Sequence, residues 1–284
     1  MDKNILIKKI LGEKAHIISP LLGGMMNESY IVSNNEKKYV LYVPTIQANE
    51  MVDRTLEKEC QAITYSLGIT SKNIYFDTTT GIKINEYIEG HSLNNIEDYD
   101  LKQVAKILHT LHDSNILSGV KYQPFNRLIN YEKEVKQFID NFDDLYLEIR
   151  NELFNNKEFL EKQKVTICHN DAQRSNIIKS VDKKYYLIDF EFMADNDPIY
   201  DIATFGNSDV KEGFDLLNIY VNNPSTEIIK RYYLWRMYIS LQWYVVALIK
   251  HYRGEGKVHN FNFLDVATHF INNAKEAYFK FKKI

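Results

Sequence analysis

Ile167-Cys168-His169-Asn170-Asp171-Ala172-Gln173-Arg174-Ser175-Asn176 is the densest chemical signal in the chain, and Leu187-Ile188-Asp189-Phe190-Glu191 follows it. Val165 to Cys168 and Tyr185 to Ile188 read as two short strands, so the polar residues fall at strand ends. Asp171 and Asn176 lie in the loop after the first strand, and Asp189 closes the second. Phosphoryl transfer from ATP needs such parts. One carboxylate orients the attacking hydroxyl and accepts its proton, while an amide and a second carboxylate hold Mg²⁺ on the phosphates.

N-terminal to this region the chain is β-rich. Ser29 to Ser33, Lys38 to Val43, Asn73 to Phe76 and Ile82 to Ile88 are short runs heavy in Tyr, Ile and Val. Asp53 to Leu67 reads as a helix ending at Gly68, and Leu21 to Asn27 is a glycine turn. After Gly90 the pattern becomes helical. Asp100 and Gln103 resemble a capping box, and Val104, Ile107, Leu108 and Leu111 form one apolar face. Asn130 to about Asn155 reads as one long charged helix, and Thr226 to Lys282 as mostly helical and aromatic-rich. The outline is α+β: a small β-rich lobe over residues 1–88 and a larger, mainly helical lobe over 89–284.

The chain has 284 residues, 45% apolar and 26% charged, which is a globular composition. Lys plus Arg is 35 and Asp plus Glu 38, so the net charge of −3 gives no support to nucleic-acid binding. Cys60 and Cys168 make no metal-ligand spacing and fit a reducing compartment. Tyr238 to Ile249 is the most apolar run and is too short to span a bilayer. No signal-peptide pattern follows Met1, so a cytoplasmic protein without membrane or nucleic-acid partners is expected, as a monomer or homodimer.

The H-x-D-x4-N run followed by I-D-F-E resembles the protein-kinase-like small-molecule phosphotransferases, which include choline, ethanolamine and aminoglycoside kinases. Asn196-Asp197-Pro198-Ile199-Tyr200-Asp201-Ile202-Ala203 is closer to choline kinases. So are Leu22-Gly23-Gly24-Met25-Met26-Asn27 and Gly81-Ile82-Lys83-Ile84-Asn85-Glu86-Tyr87-Ile88-Glu89. The resemblance, to bacterial choline kinases, runs through nearly the whole chain and implies a bilobal protein-kinase-like fold. It implies Asp171 as catalytic base and Asn176 and Asp189 as Mg²⁺ ligands. Gly23, Gly24 and Asn27 would form the loop over the ATP phosphates. Glu86, Tyr87 and Ile88 would join the lobes and bind adenine through their backbone. Glu57 would brace the phosphate-binding cation, and Asp201 would support the catalytic loop.

Two positions depart from the family pattern. The third strand of relatives carries a Lys or Arg on the phosphates, whereas Tyr39-Val40-Leu41-Tyr42-Val43-Pro44 puts Tyr42 there. A phenol does not replace a cation, so Lys38, Lys83 or Arg54 must reach in, or ATP is held weakly and Glu57 lacks its partner. Relatives also carry W-x2-W as an aromatic box for a quaternary ammonium. Trp243 fits the first position and Val246 stands at the second, with Tyr200, Trp235 and Tyr244 able to compensate.

His169 reads as a structural hydrogen-bonding residue of the loop, because a carboxylate already fills the base role. Asp195 and Asp197 read either as a turn before Pro198 or as part of a cationic-substrate pocket, and Glu191 likewise. His109 and His112 read as helix packing. The expected activity is ATP- and Mg²⁺-dependent phosphorylation of a small amino alcohol, choline first. Ethanolamine, thiamine or an aminoglycoside is the alternative acceptor, and a catalytically weak nucleotide-binding relative the alternative class.

Overall fold

The computed structural model describes residues 2–21, 27–256 and 262–284. Five antiparallel strands form the first layer: β1 (His16–Leu21), β2 (Asn27–Ser33), β3 (Lys38–Pro44), β4 (Asn73–Phe76) and β5 (Lys83–Glu86). Their order is β1-β2-β3-β5-β4. Val32, Leu41 and Ile84 pack beneath α1 (Lys3–Leu11), which contributes Leu6 and Ile7. Two helices follow β3: α2 (Ile46–Met51) and α3 (Arg54–Ser66). Asp53 caps α3 by accepting from the Thr55 and Leu56 N–H groups, which have no partner within the helix.

Residues after Gly90 build the larger, helical part. It contains α4 (Leu101–His112), α5 (Pro124–Val135), α6 (Asp144–Asn155), α7 (Lys157–Glu161), α8 (Ile199–Phe205), α9 (Val210–Val221), α10 (Thr226–Tyr252) and α11 (Phe263–Phe281). The helix expected over 130–155 is two helices. Asp143 opens the second by accepting from the Tyr146 N–H at 2.7 Å, so a side-chain cap breaks a run that holds no Gly or Pro. Helix α10 is buried on nearly every face and packs against α11, α8, α5 and α6, so it forms the axis of this part. Among the described residues, no helix is long and apolar enough to cross a membrane.

Five short strands lie between these helices: β6 (Gly90–Ser92), β7 (Thr166–Cys168), β8 (Ile177–Ser180), β9 (Tyr185–Leu187) and β10 (Ala194–Asn196). They pair as β6-β8-β9 and β10-β7. Two contacts tie α3 and its exit to this region. The Leu187 N–H donates to the Ile69 carbonyl at 2.8 Å, and the Cys60 thiol donates to the Met193 carbonyl at 3.7 Å. Both cysteines are free and buried.

Candidate active site

Strand β7 delivers the loop 169–176, and one buried carboxylate folds it. Asp201, in the first turn of α8, accepts from the His169 N–H and the Asn170 N–H, each at 2.7 Å. It also bonds the His112 Nε2 at 2.9 Å. Asn170 takes the left-handed conformation (φ 61°), which asparagine tolerates better than most residues. Its side chain donates to the Phe192 carbonyl at 2.9 Å and accepts from Asn196 at 2.8 Å. His169 is fully buried, and its Nε2 bonds the Ile188 carbonyl at 2.9 Å, which requires that nitrogen to carry the proton. Burial holds its pKa below the usual value, so it is a neutral strut. His112 also bonds the Tyr220 hydroxyl, and His109 bonds Asp113. Both histidines serve packing.

The loop presents Asp171 to a cavity of about 630 Å³. The Asp171 Oδ2 accepts from the Asn176 amide at 2.8 Å and from the Gln173 amide at 3.2 Å. The Ile188 N–H donates to the Asn176 carbonyl at 3.0 Å, so the two sequence motifs are joined through their backbones. Asp189 follows in a left-handed conformation (φ 67°), and its Oδ1 is buried without a protein partner. The Glu191 Oε2 is buried and unpartnered as well. Burial, followed by the charge of Asp189, pushes the carboxyls of Asp171 and Glu191 each up to about 8. Three carboxyls thus share a site with free oxygens. Clustered hard oxygen donors, whose ionised forms repel one another until a cation joins them, fit a divalent ion such as Mg²⁺.

On the sheet side, Tyr42 of β3 is the register partner of Lys83 of β5. The Lys83 ammonium lies 4.9 Å from the centre of the Tyr42 ring and donates to the Glu57 Oε1. The other Glu57 oxygen accepts from Arg54 Nη1 at 2.6 Å. Glu57 therefore has two partners, both among the three cations named as able to reach in, and the alternative in which it lacks a partner does not hold. Burial alone would lower the Lys83 pKa, but Glu57 and Asp189 raise it above its usual value, so the ammonium stays charged. Burial pushes the Tyr42 phenol up to about 12, and it stays neutral.

Asn27, Glu86, Tyr87 and Ile88 line the same cavity. The N–H groups of Glu86 and Tyr87 already donate to the Lys72 and Lys38 carbonyls, at 2.9 and 3.1 Å. Gly23 and Gly24 lie outside the described residues.

Of the residues expected to meet the acceptor, Glu191, Tyr200 and Trp243 line the cavity, as does Val246. Asp195 does not. It is buried, and accepts from the Ser118 N–H at 2.7 Å, the Ser118 hydroxyl at 2.9 Å and the Gly119 N–H at 3.0 Å. The reason is its place on β10, where its side chain satisfies the loop that leads to Tyr122. Asp197 is likewise structural, held by Arg231 and by the Trp235 indole. Trp235 is buried by that bond, and Tyr244 reaches Asp143 instead. Beside Tyr200 and Trp243, further aromatic lining comes from residues that sequence reasoning missed: Tyr122, Tyr131 and Phe192. They converge only through tertiary packing, and no spacing signals it.

Residues 18–214 match the choline/ethanolamine kinase family model. The chain is 26% identical over 250 residues to protein LicA of Haemophilus influenzae, covering 82% of this chain and 74% of that one. Its fold superposes on choline kinase LicA from Streptococcus pneumoniae with a TM-score of 0.76, at 25% identity over 99% of each chain. The ADP-bound aminoglycoside phosphotransferase APH(2'')-Ib shares the fold, with a TM-score of 0.67 at 16% identity over 98% of this chain and 99% of that one. The matched segment contains the Asp171 loop, Asp189 and the Lys83–Glu57 pair, and it spans most of the chain, which therefore belongs to the choline/ethanolamine kinase family of small-molecule kinases.

Proposed function

We propose that this kinase transfers the γ-phosphoryl group of ATP to the hydroxyl of a small amino alcohol, with choline the first acceptor to test. The observation that carries the reading is the convergence of Asp171, held by Asn176 and Gln173, with the free oxygen of Asp189 in one cavity. Relatives described as choline kinase support the acceptor class.

Asp171 orients the acceptor hydroxyl and takes its proton as the new O–P bond forms. The bond from the γ-phosphorus to the bridging oxygen breaks, and ADP leaves with that electron pair. A carboxyl raised toward neutrality is better matched to receive a proton than an ordinary surface aspartate. Asn176 and Asp189 are the residues that would hold Mg²⁺, which neutralises charge on the phosphates when bound. Lys83 supplies the cation on the phosphates from β5, in place of the Tyr42 position on β3. Residues 1–88 form the nucleotide part and residues 89–284 the catalytic part, joined at Glu86 to Ile88, where the backbone meets the adenine.

ADP release with Mg-ATP against choline, ethanolamine, thiamine and kanamycin tests the reading. Turnover of choline is expected, with a loss of roughly 10²–10⁴-fold in Asp171→Asn. Silence across the four acceptors, or full activity in Asp171→Asn, overturns it.

A further inference from the structure

Asn73 of β4 and Asn85 of β5 are register partners on adjacent strands. The Asn73 Nδ2 donates to the Asn85 Oδ1 at 2.8 Å, to the Tyr75 carbonyl at 3.0 Å and to the Ile84 carbonyl at 3.3 Å. Two of these acceptors are backbone oxygens, so Asn73 has to present its nitrogen to them. An amide nitrogen accepts nothing, and Asn85 therefore has to meet it with its oxygen. The sheet, rather than a ligand, fixes which way the Asn85 amide points.

Asn85 is half-buried and lines the cavity that holds Asp171. It shares a strand face with Lys83, two residues before it. Its register partner on β3 is Val40, which lines the cavity too. It also stands immediately before Glu86, Tyr87 and Ile88. With its oxygen engaged, Asn85 offers the cavity its NH2 group, and among the described residues no protein acceptor meets that nitrogen. Its lining neighbours in register and sequence do not oppose it. Val40 is apolar, the Ser71 hydroxyl turns to donate or accept, and the Glu86 carboxylate lies 3.6 Å from the Lys37 ammonium.

Purines differ in what they present to such a group. A 6-oxopurine carries a carbonyl at its 6-position, and adenine carries an amine. The carbonyl accepts from the Asn85 amide directly. The amine is a second donor and reaches Asn85 through a water that accepts from both.

We propose that Asn85 reads the 6-position of the donor's base, and that this kinase takes its phosphoryl group from 6-oxopurine nucleoside triphosphates, ITP or GTP, as readily as from ATP. This rests on the phosphotransferase reading and widens its donor class. The acceptor and the transfer step are unchanged, and IDP or GDP leaves in place of ADP.

Steady-state rates with choline held constant and Mg-ATP, Mg-GTP and Mg-ITP varied test this. ITP lacks the 2-amino group of guanine, so it differs from ATP only at the 1- and 6-positions. The wild-type kcat/KM for ITP or GTP is expected to lie within tenfold of that for ATP, or above it. Asn85→Asp keeps the bond from Asn73 and places an oxygen on the cavity side. It is expected to lower the ITP-to-ATP ratio of kcat/KM at least tenfold. Asn73→Val frees the Asn85 amide to turn and is expected to move that ratio the same way by less. It gives the same readout if Asn85→Asp does not fold.

A wild-type kcat/KM more than tenfold below that of ATP for both ITP and GTP overturns the proposal. So does an unchanged ITP-to-ATP ratio in the folded variants, since a residue that only packs the sheet lowers all donors together. Silence with every donor, ATP included, fails the phosphotransferase reading itself. The affinities of IDP and ADP, measured by calorimetry on the wild type and Asn85→Asp, then decide whether Asn85 reads the base.

Discussion

Tyr42 and Lys83 face one another as register partners on adjacent antiparallel strands, with the ammonium 4.9 Å from the ring centre. The cation therefore stands one strand away from the position where the family pattern places it, and still reaches Glu57. If Lys83 serves the phosphates, Lys83→Met raises the KM for ATP and lowers kcat/KM by at least about tenfold, roughly 1.4 kcal/mol. Adding Tyr42→Lys to that variant restores part of the loss, because the two strands bring either side chain toward Glu57. Steady-state kinetics with ATP varied checks both, with thermal melts to confirm folding.

Asp201 supports three donors from inside the core. Asp201→Ala leaves the N–H groups of His169 and Asn170 and the ring of His112 without their acceptor. Each such buried group costs about 1–3 kcal/mol. The expected result is a melting temperature several degrees lower, together with loss of activity. Asp201→Asn keeps one acceptor oxygen and should lose less stability, as measured in urea titrations.

Asp195 acts on the pocket at a distance, through the loop it holds. The Tyr122 N–H donates to the Asp195 carbonyl at 2.9 Å, and the side chain fixes Ser118 and Gly119. Asp195→Ala should loosen the Tyr122 wall. The KM for the acceptor is expected to rise about three- to tenfold, a change of up to about 1.4 kcal/mol, while the KM for ATP stays constant. Varying each substrate in turn separates the two.

Gly90 pairs with Ser180 where β6 meets β8. A Cβ there would stand 2.3 Å from the Lys179 carbonyl oxygen and 2.6 Å from the Ser180 Cα, both backbone atoms that cannot turn aside. Gly90→Ala should cost about 1–3 kcal/mol. It should also slow turnover, because β8 begins directly after Asn176. A thermal melt alongside an ADP-release assay reads both effects.

Much of this architecture is visible in local sequence. Strands β3 and β4 follow from dense β-branched and aromatic runs, and α3 from its Asp53 cap and the glycine beyond it. The Asp171 loop and Asp189 are legible because phosphoryl transfer demands few residue types at narrow spacing. The split between α5 and α6 is not, since a capping aspartate looks like any other charge in a charged run. Lys83 could be named only as one of three cations, because strand register decides which ammonium meets Glu57. Asp195 misleads for a related reason: an acid before Pro198 carries no mark of which loop it will satisfy. Tyr122, Tyr131 and Phe192 come from a loop, a helix and the turn after Glu191, and only the packed chain brings them together.

Helix α3 carries Glu57, and its exit is fastened to the segment that carries Asp189 through Leu187 and Met193. Swinging that helix outward breaks both contacts and uncovers the Cys60 thiol, which is fully buried. The same fastening holds the Lys83–Glu57 pair beside the segment that carries Asp189.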